Sequence, residues 1–112
     1  DALSSPPLGI GEFDMIVSNP PYIASEEIKT LDVSVKDFEP VWALDGGEDG
    51  LKFYKSIIKY WKSLLRPGGW LLFEVGEGQA ATVKAMLSSA GFRAVGSRLD
   101  TLNIERVVIG KM

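Results

Sequence analysis

Asn19, Pro20, Pro21 and Tyr22 form a compact group whose residue types could bind a planar polar ligand. The Asn carboxamide offers both a hydrogen-bond donor and an acceptor, and each proline stiffens the chain without adding an N–H group. An apolar run over residues 13–17 comes directly before them and predicts a buried strand that the prolines end. In open α/β sheets, ligands bind outside the carboxyl ends of strands. The sequence therefore predicts a site for a polar group at the end of this strand.

The elements around this group alternate between strands and helices. Continuous apolar runs predict strands, and apolar residues that recur every three or four positions predict helices. The predicted elements are a loop over residues 1–12, a strand over 13–19, a connector over 23–49, a helix over 51–65, a strand over 70–75, a helix over 79–90, and strands over 92–99 and 104–109. This order, β-loop-α-β-α-β-β, predicts an α/β fold whose mixed sheet has a parallel core and a final antiparallel hairpin.

Local signals refine these elements. Asp49 is a candidate N-cap for the first long helix, and Pro67 with the two glycines after it would end that helix. Gly91 is the expected C′ residue of the second. Ser25 could start a short helix in the connector, whose length suggests a loop that covers the same site. The unbroken apolar character of residues 15–17 suggests a strand covered on both faces.

The composition excludes several classes of chemistry. The sequence contains neither Cys nor His, which excludes disulfides, thiolate nucleophiles and His-based acid–base catalysis, and argues against a metal site. No apolar run approaches the roughly 20 residues of a membrane span, and no signal peptide is visible. We therefore expect no membrane association and a cytoplasmic location, which the lack of Cys also suits.

The net charge of −3 is divided unevenly along the chain. Residues 1–50 carry eleven acidic and two basic side chains, whereas residues 51–112 carry four acidic and ten basic ones. Much of the basic excess is spaced three or four residues apart. It consists of Lys52, Lys55, Lys59, Lys62 and Arg66. This stripe is either the solvated face of a helix or a nucleic-acid patch. The acidic half around Asn19 favours the first interpretation, because it would repel phosphates.

The sequence contains no recognisable cradle for phosphates or a dinucleotide. Neither G-x-G-x-x-G nor G-x-x-x-x-G-K-[ST] occurs at a predicted strand-to-helix turn. The pairs Gly46-Gly47 and Gly68-Gly69 fit neither pattern, so we interpret both as turns.

The group from Asn19 to Tyr22 also has a purely structural interpretation, because Pro-Pro ends strands, Asn favours turns and a Tyr ring can simply pack. Its context favours a functional one. This context consists of the strand before the group and of five segments after it. The five segments are Phe38-Glu39-Pro40, residues 43–51 with the glycine-rich part Gly46-Gly47-Glu48-Asp49-Gly50-Leu51, residues 65–69, residues 73–76 and Gln79. In this order and spacing they closely resemble the HemK-type protein-(glutamine-N(5)) methyltransferases, which modify peptide-chain release factors.

The resemblance runs from about Phe13 to the C-terminus, nearly the whole chain. Its more specific part is the glycine-rich segment, because Asn-Pro-Pro-Tyr is shared with several amino-methylating families. One departure is the turn before the last strand, where the family usually has a Gly-Arg pair and this chain has residues 102–106. The departure bears on the role of the hairpin and leaves the family unchanged.

The resemblance implies the C-terminal half of a Rossmann-like, class I methyltransferase domain that uses S-adenosylmethionine. Residues 1–12 would be an N-terminal loop, and residues 13–112 would supply strands four to seven of a seven-stranded sheet. The first three strands, with the glycine-rich turn that holds most of the cofactor, would be absent, and so would an N-terminal helical domain that helps bind the release factor. The chain alone is therefore expected to bind the cofactor weakly or not at all.

The resemblance also implies roles for the four residues. The Asn19 side-chain oxygen and the Pro20 carbonyl would accept hydrogen bonds from the substrate NH₂, and Asn19 would also face the cofactor. Pro21 would belong to the same substrate site, and Tyr22 would pack against the planar amide. Glu74 could face the same crevice, but a structural or solvated role is favoured for it. Phe38-Glu39-Pro40 would shape the covering loop.

Two other functions stay open at this point. The same four residues can hold an exocyclic NH₂ of adenine N(6) or guanine N(2), which would make the protein a DNA or RNA methyltransferase. The acidic half around Asn19 and the glycine-rich segment favour a release factor as partner and argue against nucleic acid as the direct substrate. The second alternative is that the chain is inactive on its own.

Overall fold

Residues 2–7, 9, 11–23, 47 and 50–112 are described by the computed structural model. The elements are strand β1 (Phe13–Ser18), helix α1 (Lys52–Trp61), a short 3₁₀ helix (Lys62–Leu64), strand β2 (Leu65–Glu74), helix α2 (Ala80–Ser89), strand β3 (Arg93–Leu99) and strand β4 (Glu105–Lys111). Within this part of the chain, no helix has both the length and the apolar character needed to cross a membrane. The order of the described strands and helices agrees with the prediction, and most of the predicted connector over residues 23–49 lies outside the described residues.

The four strands form one mixed sheet in the order β1-β2-β4-β3. Strands β1 and β2 run parallel, with Ser18 opposite Phe73 at their carboxyl ends. Strand β4 pairs antiparallel with β2 and with β3, so the final two strands form the predicted hairpin. The carboxyl ends of β1 and β2 therefore meet at one edge of the sheet.

The hydrophobic core lies between one face of the sheet and the two helices. Its buried side chains come from both layers: Tyr54, Ile57, Ile58, Leu65, Leu71, Phe73, Val75, Ala80, Val83, Leu87, Phe92 and Val108. The rings of Tyr54 and Phe73 meet edge to face, with centroids 5.2 Å apart. The apolar stripe predicted for each helix is therefore the stripe that packs on the sheet.

The first helix differs from its prediction at its C-terminal end. At its start the N-cap residue is Leu51, which makes no side-chain cap hydrogen bond, and the predicted cap Asp49 lies outside the described residues. The α-helix ends at Trp61, and the chain becomes extended at Leu65. Pro67 and the glycines after it lie within β2, where the register against β1 shifts. Proline disfavours a helical conformation for the residue before it, so the helix ends well ahead of Pro67.

The prediction that β1 is covered on both faces is wrong for this chain. Phe13, Met15 and Val17 are 42%, 52% and 68% exposed, whereas Ile16 packs against the core. The physical reason is that α1 and α2, the helices of the described part, cover the same face of the sheet. The opposite face of β1 therefore meets solvent.

The lysine stripe is divided between elements. Lys52, Lys55 and Lys59 are exposed on α1, as both interpretations of the stripe require, whereas Lys62 is half-buried in the 3₁₀ helix, where its ammonium donates to the Ala90 carbonyl at 2.9 Å. Arg66 does not belong to the helix, because it lies in β2 and pairs with Asp14 at 3.2 Å.

The second helix and the hairpin were predicted well. Helix α2 ends with Ala90 as C-cap, and Gly91 follows with a φ of +93°, which makes it the predicted C′ residue. The Phe92 N–H then donates to the Leu87 carbonyl at 3.1 Å, a bond typical of a glycine C-cap. The possible short helix at Ser25 and the covering loop with Phe38-Glu39-Pro40 lie outside the described residues.

Asp100 organises the turn between β3 and β4. Its Oδ1 accepts hydrogen bonds from the Leu102 and Ile104 N–H groups at 2.8 and 3.0 Å, and its Oδ2 accepts one from Arg106 Nε at 3.2 Å. These donors favour the ionised carboxylate, so they lower the pKa of Asp100 below its ordinary value of 3.8, with the Ile104 N–H as the largest cause.

We expect the hairpin to lose stability when Asp100 is protonated. A carboxylate whose pKa is lower in the folded state stabilises the fold above its unfolded pKa and loses that contribution as pH falls through the folded pKa. Asp100→Asn should therefore be less stable than the wild type near neutral pH, and the difference should shrink below pH ~3.8. Urea denaturation at several pH values measures this, and a difference that stays constant down to pH ~2 would contradict it.

Candidate functional site

The predicted binding group lies at the carboxyl edge of the sheet. Asn19 follows the last residue of β1, and Glu74 ends the neighbouring parallel strand β2. Asn19 is exposed, Pro20 is buried, and Pro21 and Tyr22 are half-buried. Within the described part of the chain, no hydrogen bond occupies the Asn19 carboxamide. The Asn19 carboxamide is therefore accessible at this edge, while the next residue, Pro20, is buried in the protein interior.

The Tyr22 ring is seated on Gly76, the second residue after β2. A Cβ atom on Gly76 would lie 2.5 Å from Tyr22 Cδ2 and 2.8 Å from Cε2, closer than such atoms can approach. Only glycine gives the ring this position, because any larger residue would meet it. The segments that follow β1 and β2 are thus in direct contact, because the Tyr22 ring packs against the Gly76 backbone.

The Gln79 carboxamide ties the same loops together by hydrogen bonds. Its Nε2 donates to the Tyr22 carbonyl at 3.0 Å and to the Gly50 carbonyl at 3.3 Å. Its Oε1 accepts from the Gly76 N–H at 2.9 Å and from the Tyr54 hydroxyl at 3.0 Å. A carboxamide has two N–H donors and two oxygen lone pairs, so all four are used.

Tyr54 supports this network from the core. The residue is fully buried, and its hydroxyl also lies 3.4 Å from the Glu74 carbonyl. Burial raises the pKa of the Tyr54 hydroxyl, because the charged phenolate would lose its hydration. The hydroxyl is therefore a neutral, fixed donor to Gln79, and it is not arranged to act as an acid or a base.

Comparison with known proteins identifies the relatives of this chain. A release factor glutamine methyltransferase of Geobacter sulfurreducens is 48% identical over 106 residues, which make up 95% of this chain and 37% of the relative. Proteins of the same name from Clostridium acetobutylicum and Caulobacter vibrioides are 46% and 43% identical, each over 92% of the chain. The chain corresponds to the C-terminal part of a release factor glutamine methyltransferase. The resemblance inferred from the sequence is thereby confirmed.

The match also fixes the architecture. The chain spans a little over a third of the length of the curated methyltransferases that it matches. No family model matches it. The mixed four-stranded sheet with two helices is the C-terminal part of a class I methyltransferase fold, as predicted.

The four residues predicted for the site lie together at the end of β1. The structure adds two supporting residues to which the sequence pattern assigns no role, Tyr54 on α1 and Gln79 before α2. A polar residue directly before an apolar helix, next to a strand exit with two glycines, was the signal available for Gln79.

One observation bears on whether the described residues could bind a methyl donor. Asn19 is exposed at the strand end, where such a molecule could reach it. The turn at Gly76 and Gly78 joins a strand to a helix, as a cofactor-binding turn does, but the Tyr22 ring already fills the space at Gly76. The described part of the chain therefore contributes the strand-end group and no nucleoside cradle.

Proposed function

We propose that this chain supplies the substrate-amide site of a methyltransferase that methylates a glutamine side chain of peptide-chain release factors. The observation that carries the proposal is an exposed Asn19 beside a buried Pro20 at the sheet edge, in a chain 48% identical to a relative of that name. Residues 13–112 would be strands four to seven of the catalytic domain. A release factor as substrate would place the reaction in the cytoplasm.

An amide nitrogen needs help as a nucleophile, because its lone pair is delocalised into the carbonyl group. The Asn19 side-chain oxygen and the Pro20 carbonyl accept hydrogen bonds from the substrate NH₂ and so fix its orientation. Two acceptors also favour the positive charge that develops on the nitrogen in the transition state. Pro21 stiffens the turn, and Tyr22 packs against the planar amide.

S-adenosylmethionine supplies an electrophilic methyl group on a sulfonium when it is bound. Among the described residues, Asn19 is the one that would touch it. No strong general base is required at the site, because the methylated amide cation is acidic enough to lose its proton to water. The lack of His in the sequence is therefore compatible with the reaction.

Methyl transfer with a labelled cofactor tests the proposal directly. The full-length protein that carries this chain should label a purified release factor, and mass spectrometry should locate the methyl group on a glutamine. RNA and DNA serve as competing substrates, because the same four residues could hold an exocyclic NH₂. Transfer to nucleic acid without transfer to release factor would replace this proposal by the nucleic-acid alternative.

We expect residues 1–112 alone to bind S-adenosylmethionine weakly or not at all. The physical reason is that the chain spans only 37% of the relative's length, so most of the proposed pocket would lie in the rest of that length. Isothermal titration calorimetry with the isolated chain measures this, and the full-length protein is the positive control. A dissociation constant in the micromolar range for the isolated chain would contradict the expectation.

A further inference from the structure

We propose that Gln79 is a positioning residue of the substrate-amide site. Its carboxamide holds the turn from Asn19 to Tyr22 in the position that the proposed methyl transfer requires. Gln79 is the N-cap residue of α2 and lies in a different element from the site itself. It acts through the backbone of the turn and touches neither substrate nor cofactor in this role. The inference rests on the proposed function.

The polarity of the network leaves the Gln79 carboxamide one orientation. The Gly76 N–H can only donate a hydrogen bond, so it must meet the Gln79 oxygen, as it does at 2.9 Å. The Tyr22 and Gly50 carbonyls can only accept, so they must meet the Gln79 nitrogen. A side chain with oxygen atoms at both positions would face these two carbonyls with an acceptor.

The four partners come from four separate places in the chain. Tyr22 ends the Asn-Pro-Pro-Tyr group, Gly50 belongs to the glycine-rich segment, Tyr54 lies on α1, and Gly76 follows β2. The Gly50 N–H in turn donates to the Gly47 carbonyl at 3.2 Å, within the same glycine-rich segment. One carboxamide therefore joins two of the sequence groups that carry the family resemblance, although they are far apart in sequence.

The position of the turn matters for the proposed chemistry. The Tyr22 carbonyl that Gln79 holds lies two residues after the Pro20 carbonyl that would accept from the substrate. Methyl transfer needs the nitrogen in line with the methyl group, and a misplacement of about 1 Å can cost 100-fold in rate. Loosening the Tyr22 anchor should therefore lower the rate of the chemical step more than it lowers binding.

Gln79→Glu is the sharpest test, because it replaces the terminal NH₂ by an oxygen and keeps the shape of the side chain. The variant retains the acceptor for Gly76 and Tyr54 and loses both donated hydrogen bonds. Gln79→Met, which is similar in length and apolar, removes all four bonds. Glu77→Gln is the matched control, since Glu77 is exposed in the same turn and its change also exchanges a carboxylate and a carboxamide.

The full-length protein and its variants would be assayed with release factor as substrate, and kcat would be counted per bound cofactor so that any unfolded fraction drops out. We expect Gln79→Glu to lower kcat roughly 10- to 100-fold. The KM for release factor and the cofactor Kd should stay within about threefold of the wild type, as expected when a change acts mainly on the chemical step. Glu77→Gln should match the wild type.

Hydrogen exchange gives a second readout that does not need methyl transfer. The Tyr22 and Ile23 amides should exchange faster in Gln79→Glu than in Glu77→Gln, because the turn has lost its anchor. Unchanged exchange, an unchanged kcat, or a kcat that falls only in step with cofactor affinity would overturn the positioning role. A wild type that methylates no release factor would refute the proposed function, and the exchange rates would still decide whether Gln79 fixes the turn.

Discussion

Asn19→Ala is expected to lower kcat by roughly 100- to 1000-fold in the full-length enzyme, the range seen when one polar group that stabilises a transition state is removed. The cofactor Kd should stay mostly intact, because Asn19 would be only one contact in a pocket formed largely by other residues. The physical reason is the loss of one of the two proposed acceptors that would orient the substrate NH₂ against the methyl group. Methyl-transfer assays with a labelled cofactor measure kcat, and calorimetry measures the cofactor Kd separately.

Two further variants make the Asn19 experiment specific. Asn19→Asp keeps an oxygen acceptor and the shape of the side chain, so it should retain more kcat than Asn19→Ala. Ser88→Ala is the control, since Ser88 is exposed near the end of α2 at the opposite edge of the sheet and should leave kcat unchanged. Equal losses of kcat and cofactor affinity in Asn19→Ala would show instead that Asn19 mainly holds the cofactor or the fold.

The position of Asn19 at the end of a strand could be predicted because it depends on local signals. An apolar run followed by Asn-Pro-Pro-Tyr marks a strand end, and strand–helix–strand alternation implies a parallel pair. Parallel strands bring their carboxyl ends to one edge, which is where Asn19 and Glu74 lie. The glycine cap at Gly91 and the final hairpin were predicted for the same reason, since each is encoded by a few neighbouring residues.

Features that depend on distant partners were not predicted. The Gln79 hydrogen bond to Tyr22 spans 57 positions and the Tyr54 hydrogen bond to Gln79 spans 25, and no spacing rule for a single element reports such pairs. Pro67 was expected to end a helix that had already ended at Trp61. Pro67 does mark an irregularity, because the register of β2 against β1 shifts there. Since β2 pairs with β1, this irregularity lies inside a strand and not at the end of a helix.

The exposed face of β1 shows a third limit of a sequence pattern. An unbroken apolar run reports that a strand is suited to burial on both sides, and it does not say which segment provides the cover. In the described structure α1 and α2 cover the face that carries Ile16, whereas Met15 and Val17 are exposed. The apolar pattern therefore shows that β1 is suited to burial on both faces. The helices of the described part cover one of these two faces.

Gly76→Ala is expected to disrupt the site without changing any polar group. The added methyl would lie 2.5 Å from the Tyr22 ring and 3.0 Å from Gln79 Oε1, so the ring must move. Overpacking of this kind typically lowers the free energy of unfolding by about 1–3 kcal/mol. The displaced turn should also lower kcat by roughly 100-fold, since the proposed acceptors at Asn19 and Pro20 move with it. Urea denaturation and the methylation assay measure the two effects.

A double-mutant cycle with Tyr22→Ala separates the ring contact from other effects at Gly76. Without the ring, the methyl group has room, so Gly76→Ala should cost much less stability in the Tyr22→Ala background than in the wild type. Gly96→Ala is the matched control, because a Cβ atom there would meet no atom within 4 Å and the backbone has an ordinary φ. If Gly76→Ala costs the same in both backgrounds, the contact between the two strand ends does not hold the turn in place.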